Sequence, residues 1–370
     1  MALRTRHTPT TTNSSILETD LQKSAVTGAP NRTACTRTPY ICRRDLSMLF
    51  CGIIWPFFDD WAETDLRISI YQESPMKILV GVDEIATAER LSAQVASLGF
   101  ANAKVDLAFA IEILGAAVAV RPDTAHTSVV NEFVRMQTEL AKSVLSGSEK
   151  AFKDKGLPTT TKVLTGMTGN ALVNHAKETA ADLLVVGHSG KNALERVIIG
   201  SVSRKVLLSA QQSILISKQP ESAVKPVTLV LATDHSDYAN RCIDKLLSWK
   251  PQNVERVVVT TVYPEQLLKA MGAVIEHFKA DVSTWVKDGL AKNNATIVDK
   301  VKSTLPSAKV TSRVESGYVS DTLERVMKEE KADLLVLGAQ GHGFVDLITL
   351  GSVSLDQAVR HDYSVLVVRA

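Results

Sequence analysis

Gly187-His188-Ser189-Gly190 is followed, after nine residues, by Gly200-Ser201, and the arrangement returns as Gly338-Ala339-Gln340-Gly341, nine residues and Gly351-Ser352. The chemistry this set offers is that of backbone amides. A glycine directly after an apolar run lets the chain turn sharply and lets its main chain approach a ligand closely. The second glycine extends that freedom. The Gly-Ser pair opens a helix, with a serine side chain available to cap it. A helix start presents free N–H groups and positive partial charge. Two such turns converging at the C-terminal edge of a sheet make a phosphate cradle.

The duplication fixes the organisation that must position these loops. The offset between the two copies is 151 residues, and it also relates Gly166 to Gly317, Asp83 to Asp234, Ala181–Val185 to Ala332–Val336 and Ser213 to Ser364. This is an internal repeat. Each copy alternates strand and helix signals. The first predicts strands at Lys77–Val82, Val105–Ile111, Thr161–Leu164, Leu183–Val186 and Ile214–Ser217, with helices at Ala86–Leu98, Val129–Lys153, Ala171–Thr179 and Ser201–Ala210. The second predicts strands at Thr228–Ala232, Val257–Val262, Lys309–Val314, Leu334–Leu337 and Val365–Val368. Its helices fall at Tyr238–Trp249, near 267–303, at Ser320–Glu330 and at Ser352–Arg360. Short apolar strands alternating with helices argue an α/β fold, a parallel sheet with helices on both faces. The expected domains are 76–219 and 225–370, joined by the proline-bearing linker Gln219–Pro226.

Bulk properties narrow the function classes. The net charge of +2 gives no nucleic-acid footprint, and aromatic residues at 5% make no base-stacking platform. Cys35, Cys42 and Cys51 precede the repeats and Cys242 alone lies within one; no CxxC or other metal-ligand spacing exists. The repeats read as reduced, cytoplasmic domains. Leu46–Phe58 is the most apolar stretch, yet it holds Pro56, is followed by Asp59 and Asp60, and is too short to span a bilayer. Residues 1–45, rich in Thr, Ser and Arg, read as disordered. Met76 looks like a natural beginning for an α/β domain, so residues 1–75 are expected to be an over-extended start. The rival reading is a targeting or regulatory extension.

The doubled Gly-x-x-Gly-x9-Gly-Ser resembles the ATP-binding class of the universal stress protein family, and the resemblance covers 76–219 and 225–370. It implies two tandem Rossmann-like domains of the adenine nucleotide alpha hydrolase-like (HUP) group. Each would hold a five-stranded parallel sheet in the order 3-2-1-4-5, with nucleotide between strands one and four. It implies ATP, with Mg²⁺, as the cofactor. An acidic residue ending strand one would hold the ribose or adenosine side, here Asp83 and Asp234. A hydrophobic residue ending strand two would meet adenine through its backbone, here Ile111 and Val262. The first loop would supply Val186, Gly187, Ser189 and Gly190, or Gly338, Gln340 and Gly341. The phosphate-facing helix start would supply Gly200, Ser201, Val202 and Ser203, or Gly351, Ser352, Val353 and Ser354. The last strands, Ile214–Ser217 and Val365–Val368, are expected to pair within one chain as a pseudo-dimer, with a further homodimer open.

The copies differ in charge. Lys191, Arg196, Arg204 and Lys205 of the first correspond to His342, Leu347, Leu355 and Asp356 of the second. Loss of four cations should weaken a triphosphate there by about 1 kcal/mol at low salt. Against this, Asp234-His235-Ser236 has the family's Asp-x-Ser, whereas Asp83-Glu84-Ile85 lacks the serine. Weighing the phosphate end more makes repeat one the expected better ATP site.

No residue is assigned a catalytic or metal-binding role. His188 and His235 have Ala339 and Glu84 at the shifted positions, so neither is repeated. A Gly-x4-Gly-Lys-Ser/Thr loop, a His-x-Gly-His motif and a Ser-Gly-Gly-x-Asp-Ser loop are all lacking. The expected function is a nucleotide-dependent binding or signalling module of the stress response. The alternatives are an adenine-nucleotide enzyme, through slow ATP hydrolysis or adenylyl transfer, and a scaffold without bound nucleotide.

Overall fold

A computed structural model describes residues 75–112, 124–188, 199–218, 222–264, 282–341 and 350–370. The readings made on residues 1–74, including Leu46–Phe58 and three of the four cysteines, fall outside these, as do Ser189, Gly190, Lys191, Arg196, His342 and Leu347. The described residues form one compact unit.

The first repeat runs β1 (Lys77–Gly81), α1 (Ile85–Leu98), β2 (Lys104–Ile111), α2 (Thr124–Lys153), β3 (Thr159–Thr165), α3 (Thr168–Glu178), β4 (Leu183–Gly187), α4 (Ser201–Ser209) and β5 (Ser213–Ser217). The second runs β6 (Val227–Ala232), α5 (Asp237–Ser248), β7 (Val254–Tyr263), α6 (Val282–Thr304), β8 (Lys309–Ser316), α7 (Val319–Glu329), β9 (Leu334–Gly338), α8 (Ser352–Arg360) and β10 (Ser364–Val368).

All ten strands join one sheet in the order β3-β2-β1-β4-β5-β10-β9-β6-β7-β8. Each half therefore has the expected order 3-2-1-4-5, parallel throughout. The halves meet where β5 and β10 pair antiparallel, Leu215 opposite Leu366. Central strands are apolar on both faces because helices cover both: Ile78, Leu79 and Val80 are each at most 1% exposed. Two apolar clusters, one per face, each contain residues of both halves. Phe100 and Trp249, at the ends of α1 and α5, add an edge-to-face contact at 5.8 Å between halves. No described helix is long and apolar enough to cross a membrane.

Strand β7 is displaced by one residue from the fixed offset of 151, in its pairing with β6 and with β8 alike. Gly81 pairs with Ala108, but its counterpart Ala232 pairs with Thr260, one residue further on, because β6 and β7 slip at Val227/Thr228. Gly166 N–H then bonds the Ile111 carbonyl at 2.9 Å, while Gly317 N–H bonds the Tyr263 carbonyl at 3.1 Å. Val262 therefore corresponds to Ala110 and not to Ile111. A one-residue slip moves a side chain to the opposite face.

Candidate functional site

In each half the strand order reverses between the first and fourth strands, where two loops diverge and leave a crevice beyond the carboxyl ends. The crevice of the second half has a volume of about 430 Å³. Its walls are the end of β6 (Ala232, Thr233, Asp234), the end of β7 (Thr260, Val262, Pro264), and Val319 and Leu323 of α7. Gly338, Gln340 and Gly341 after β9, and Gly351–Ser354 at the start of α8, close it. Every residue predicted for repeat two is thus brought to one cavity. Sequence reasoning missed Thr260, Val319 and Leu323. Strand alternation from Val262 and the i, i+4 step on a helix would have found them.

The acidic end of this crevice is pre-organised. Asp234 Oδ1 accepts from Ser236 N–H at 3.0 Å and from Ser236 Oγ at 2.7 Å. Ser236 Oγ in turn caps α5 by accepting from Ala239 N–H at 3.1 Å. Between them His235 adopts a left-handed φ of 60°. Its Nε2 lies 3.0 Å from Thr261 Oγ1, which donates to the buried Asn294 Oδ1 at 2.8 Å. The imidazole therefore donates to Thr261, a structural role. The other carboxylate oxygen of Asp234 abuts Gly341, where a Cβ would come within 2.9 Å of Oδ2. That glycine is required by close approach.

At the helix starts the structure corrects one expectation. The N-caps are Gly351 and Gly200, and neither helix start has a side-chain cap. Ser352 and Ser201 are the first helical residues and are exposed. The first-turn N–H groups have no acceptor within the helix, so α8 directs unsatisfied donors and the positive end of its dipole at the crevice. Ser354 and Ser203, expected to face phosphate, are buried; their hydroxyls donate to the carbonyls of Gly338 at 2.7 Å and Gly187 at 2.8 Å. Each bond ties the helix start to the end of the fourth strand.

The crevice of the first half is smaller, about 140 Å³, and is lined by Asp83, Val186, Gly187 and Gly200–Ser203. His188, where repeat two has Ala339, also lines it. Asp83 is exposed and has no hydrogen-bond partner among the described residues, since Ile85 replaces the capping serine. Ile111 is buried and does not line the crevice, as the register slip explains. Glu112, missed by sequence reasoning, accepts from Thr168 N–H at 2.8 Å and Oγ at 2.9 Å, which caps α3 and holds the carboxyl below its ordinary value.

The charge contrast between the copies does not reach either crevice through its described members. Arg204 and Lys205 are exposed and do not line the first; the stem of Lys205 lies against Gly169. Asp356 sits 3.1 Å from Arg360 and does not line the second. The described members therefore give the ranking that charge suggested no geometric support. A cavity of about 430 Å³ falls within the usual range for small-molecule sites, and one of 140 Å³ falls below it.

Among the described residues no cluster of three or more ligating side chains could hold a metal ion. Cys242 is buried; burial pushes its thiol up to about 11, which makes it inert at neutral pH.

Comparison with known proteins places these loops in context. The sequence pattern of the Universal stress protein family matches residues 75–218 and 228–369. A universal stress protein of Mycolicibacterium smegmatis is 26% identical over 310 residues, which span 79% of this chain and 96% of that protein. One of Methanocaldococcus jannaschii is 34% identical over 83 residues, 22% of this chain and about half (49%) of that protein. The crystal structure of a universal stress protein from Archaeoglobus fulgidus superposes with a TM-score of 0.52 at 15% identity, over 79% of this chain and 98% of that one, a likeness of fold.

Proposed function

The chain belongs to the universal stress protein family through both of its halves, and from that premise we propose that it is an adenine-nucleotide-binding module of the cellular stress response. ATP carried with Mg²⁺ is the nucleotide, and the cytoplasm is the compartment. The second crevice is the principal site and the first a weaker one. The observation that carries the reading is the convergence, on one cavity, of a fixed carboxylate at Asp234, an apolar wall at Val262, close-approach glycine at Gly341 and the uncapped start of α8. The uncapped helix start and the Gly341 approach fit a phosphate chain. The carboxylate fits ribose hydroxyls, and Val262 with Leu323 fits the base. Magnesium would be held by the phosphates.

The pairing of β5 with β10 supports a pseudo-dimer within one chain. The contact of His235 with Thr261 and the burial of Cys242 support binding over turnover. The test is titration calorimetry of the full chain with MgATP, AMP, cyclic AMP and GTP, joined to native mass spectrometry for copurified nucleotide. The reading expects adenine nucleotides to bind and GTP to bind more weakly. No binding at millimolar nucleotide, or equal affinity for GTP, overturns it.

A further inference from the structure

Two buried cations cross between the halves in matching fashion. Lys218 directly follows β5 and Arg369 directly follows β10, 151 residues later, so they hold one position in the two copies. Lys218 N–H donates to Ser364 Oγ at 2.9 Å, and Arg369 N–H donates to Ser213 Oγ at 3.1 Å. Ser213 and Ser364 are themselves repeat equivalents, each opening the last strand of the opposite half. The side chains then run under the opposite half's last helix. Lys218 Nζ donates to the carbonyl of His361, the C-cap of α8. Arg369 Nη2 donates to the carbonyl of Leu207, in the last turn of α4, at 3.2 Å.

Lys218 and Arg369 are 3% and 5% exposed. Taking an ammonium or guanidinium out of water is costly, and an apolar residue would fill the same space without that cost. Burial pushes Lys218 down to about 8, so it stays charged at neutral pH. Arg369 leaves Nε and Nη1 without a hydrogen-bond partner among the described residues. Lys218 feels the Asp362 carboxylate, and both cations meet the negative end of a helix dipole. Helices α4 and α8 are the ones whose opposite ends, at Gly200-Ser201 and Gly351-Ser352, open onto the crevices. Each helix is therefore bounded by its own crevice at its start and by the other half's cation at its end.

We propose that Lys218 and Arg369 are positioning residues that hold the phosphate-facing helix of the opposite half and so couple each half to the other's crevice. The coupling rests on the nucleotide reading above; the positioning does not.

The first arm of the test needs no nucleotide. Amide hydrogen exchange is followed by mass spectrometry in the full chain and in Arg369→Met and Lys218→Met. Arg369→Met is expected to speed exchange in Ser201–Ser209 by about fivefold or more and to leave Ser352–Arg360 as in the parent. Lys218→Met is expected to do the reverse, and Lys218→Arg to restore the parent pattern. The charge-keeping Arg369→Lys, with its shorter reach, gives the same local signature if the methionine variant does not fold. Uniform acceleration, a change confined to the variant's own half, or no change overturns the positioning. In the second arm MgATP is titrated into Gly200→Asp, which leaves crevice two, with and without Lys218→Met. A shift in affinity of about threefold or more on adding Lys218→Met is expected. An unchanged affinity overturns the coupling, whereas absence of binding in the parent chain overturns the nucleotide reading and leaves the first arm to decide the positioning.

Discussion

The hydroxyl of Ser354 donates to the carbonyl of Gly338 at 2.7 Å, and Ser203 repeats the bond to Gly187 at 2.8 Å. The last serine of each Gly-Ser-Val-Ser thus fixes the distance between the helix start and the strand end, which is the width of the proposed phosphate cradle. Ser354→Ala leaves the part-buried Gly338 carbonyl without that donor. Its expected cost is about 1–2 kcal/mol of stability. MgATP affinity at crevice two should also fall by about tenfold, since the first-turn amides lose their set position. Urea unfolding and calorimetry on the same variant measure the two.

Gly341 faces Asp234, and a methyl there would lie 2.9 Å from Oδ2. The carboxylate cannot retreat easily because Ser236 holds its other oxygen. Gly341→Ala is expected to reduce adenine-nucleotide affinity by about tenfold and to cost about 1–3 kcal/mol of stability through overpacking. Parallel calorimetry and thermal unfolding check this; a variant that binds as the parent does would show that close approach is not needed.

In the first half, His175 Nε2 lies 2.7 Å from Asp106 Oδ2, and Thr160 Oγ donates to Asp106 Oδ1 at 3.1 Å. By register, the second half places Val258 and Val326 in these positions, both 0% exposed. The fold therefore accepts an apolar pair. Asp106→Val alone should destabilise by about 1–3 kcal/mol by stranding His175, whereas Asp106→Val with His175→Val should be neutral or more stable. Chemical denaturation of the single and double variants decides.

Lys218 sets a pH dependence. Burial lowers its ammonium from 10.5 to about 8. Between those values the unfolded chain holds a proton the folded chain has released, so the folded state gains stability as pH rises from about 8 to 10.5 and loses it on the way down. Cys242, raised from 9.0 to about 11, acts in the opposite sense as pH rises through that range. Comparing the parent with Lys218→Met isolates the lysine. The parent should gain about 2–3 kcal/mol relative to the variant between pH 8 and pH 10.5. Urea midpoints across that range give the answer.

Most of the architecture was legible because burial on both faces leaves short apolar runs, and each run predicted between glycines and charged turns became a strand. The site was legible where it is made of backbone: Gly187, Gly338, Gly341 and Gly351 all sit where their spacing put them. It was misread where side chains compete for the same amides. Ser201 and Ser352 follow the cap and do not form it, since the glycine already supplies the extended conformation. Ile111 was matched to Val262 by counting, and no residue type announces the slip at Val227/Thr228 that sets them on opposite faces. Lys218 and Arg369 shared the repeat offset but carried the signature of surface residues; only their three-dimensional setting shows them buried.

The central claim is that nucleotide binds chiefly in the second crevice, on the uncapped start of α8. Asp is a favourable N-cap, so Gly351→Asp and Gly200→Asp each set a carboxylate at the helix start where phosphate would lie; at Gly351 the added Cβ comes 3.3 Å from the Ala339 carbonyl oxygen, so circular dichroism and urea unfolding of both variants check that the fold is kept. MgATP titration of these two variants is the most direct test. The account predicts that Gly351→Asp removes most of the parent's binding and that Gly200→Asp retains it. Retention by Gly351→Asp with loss in Gly200→Asp, or equal loss in both, would contradict it.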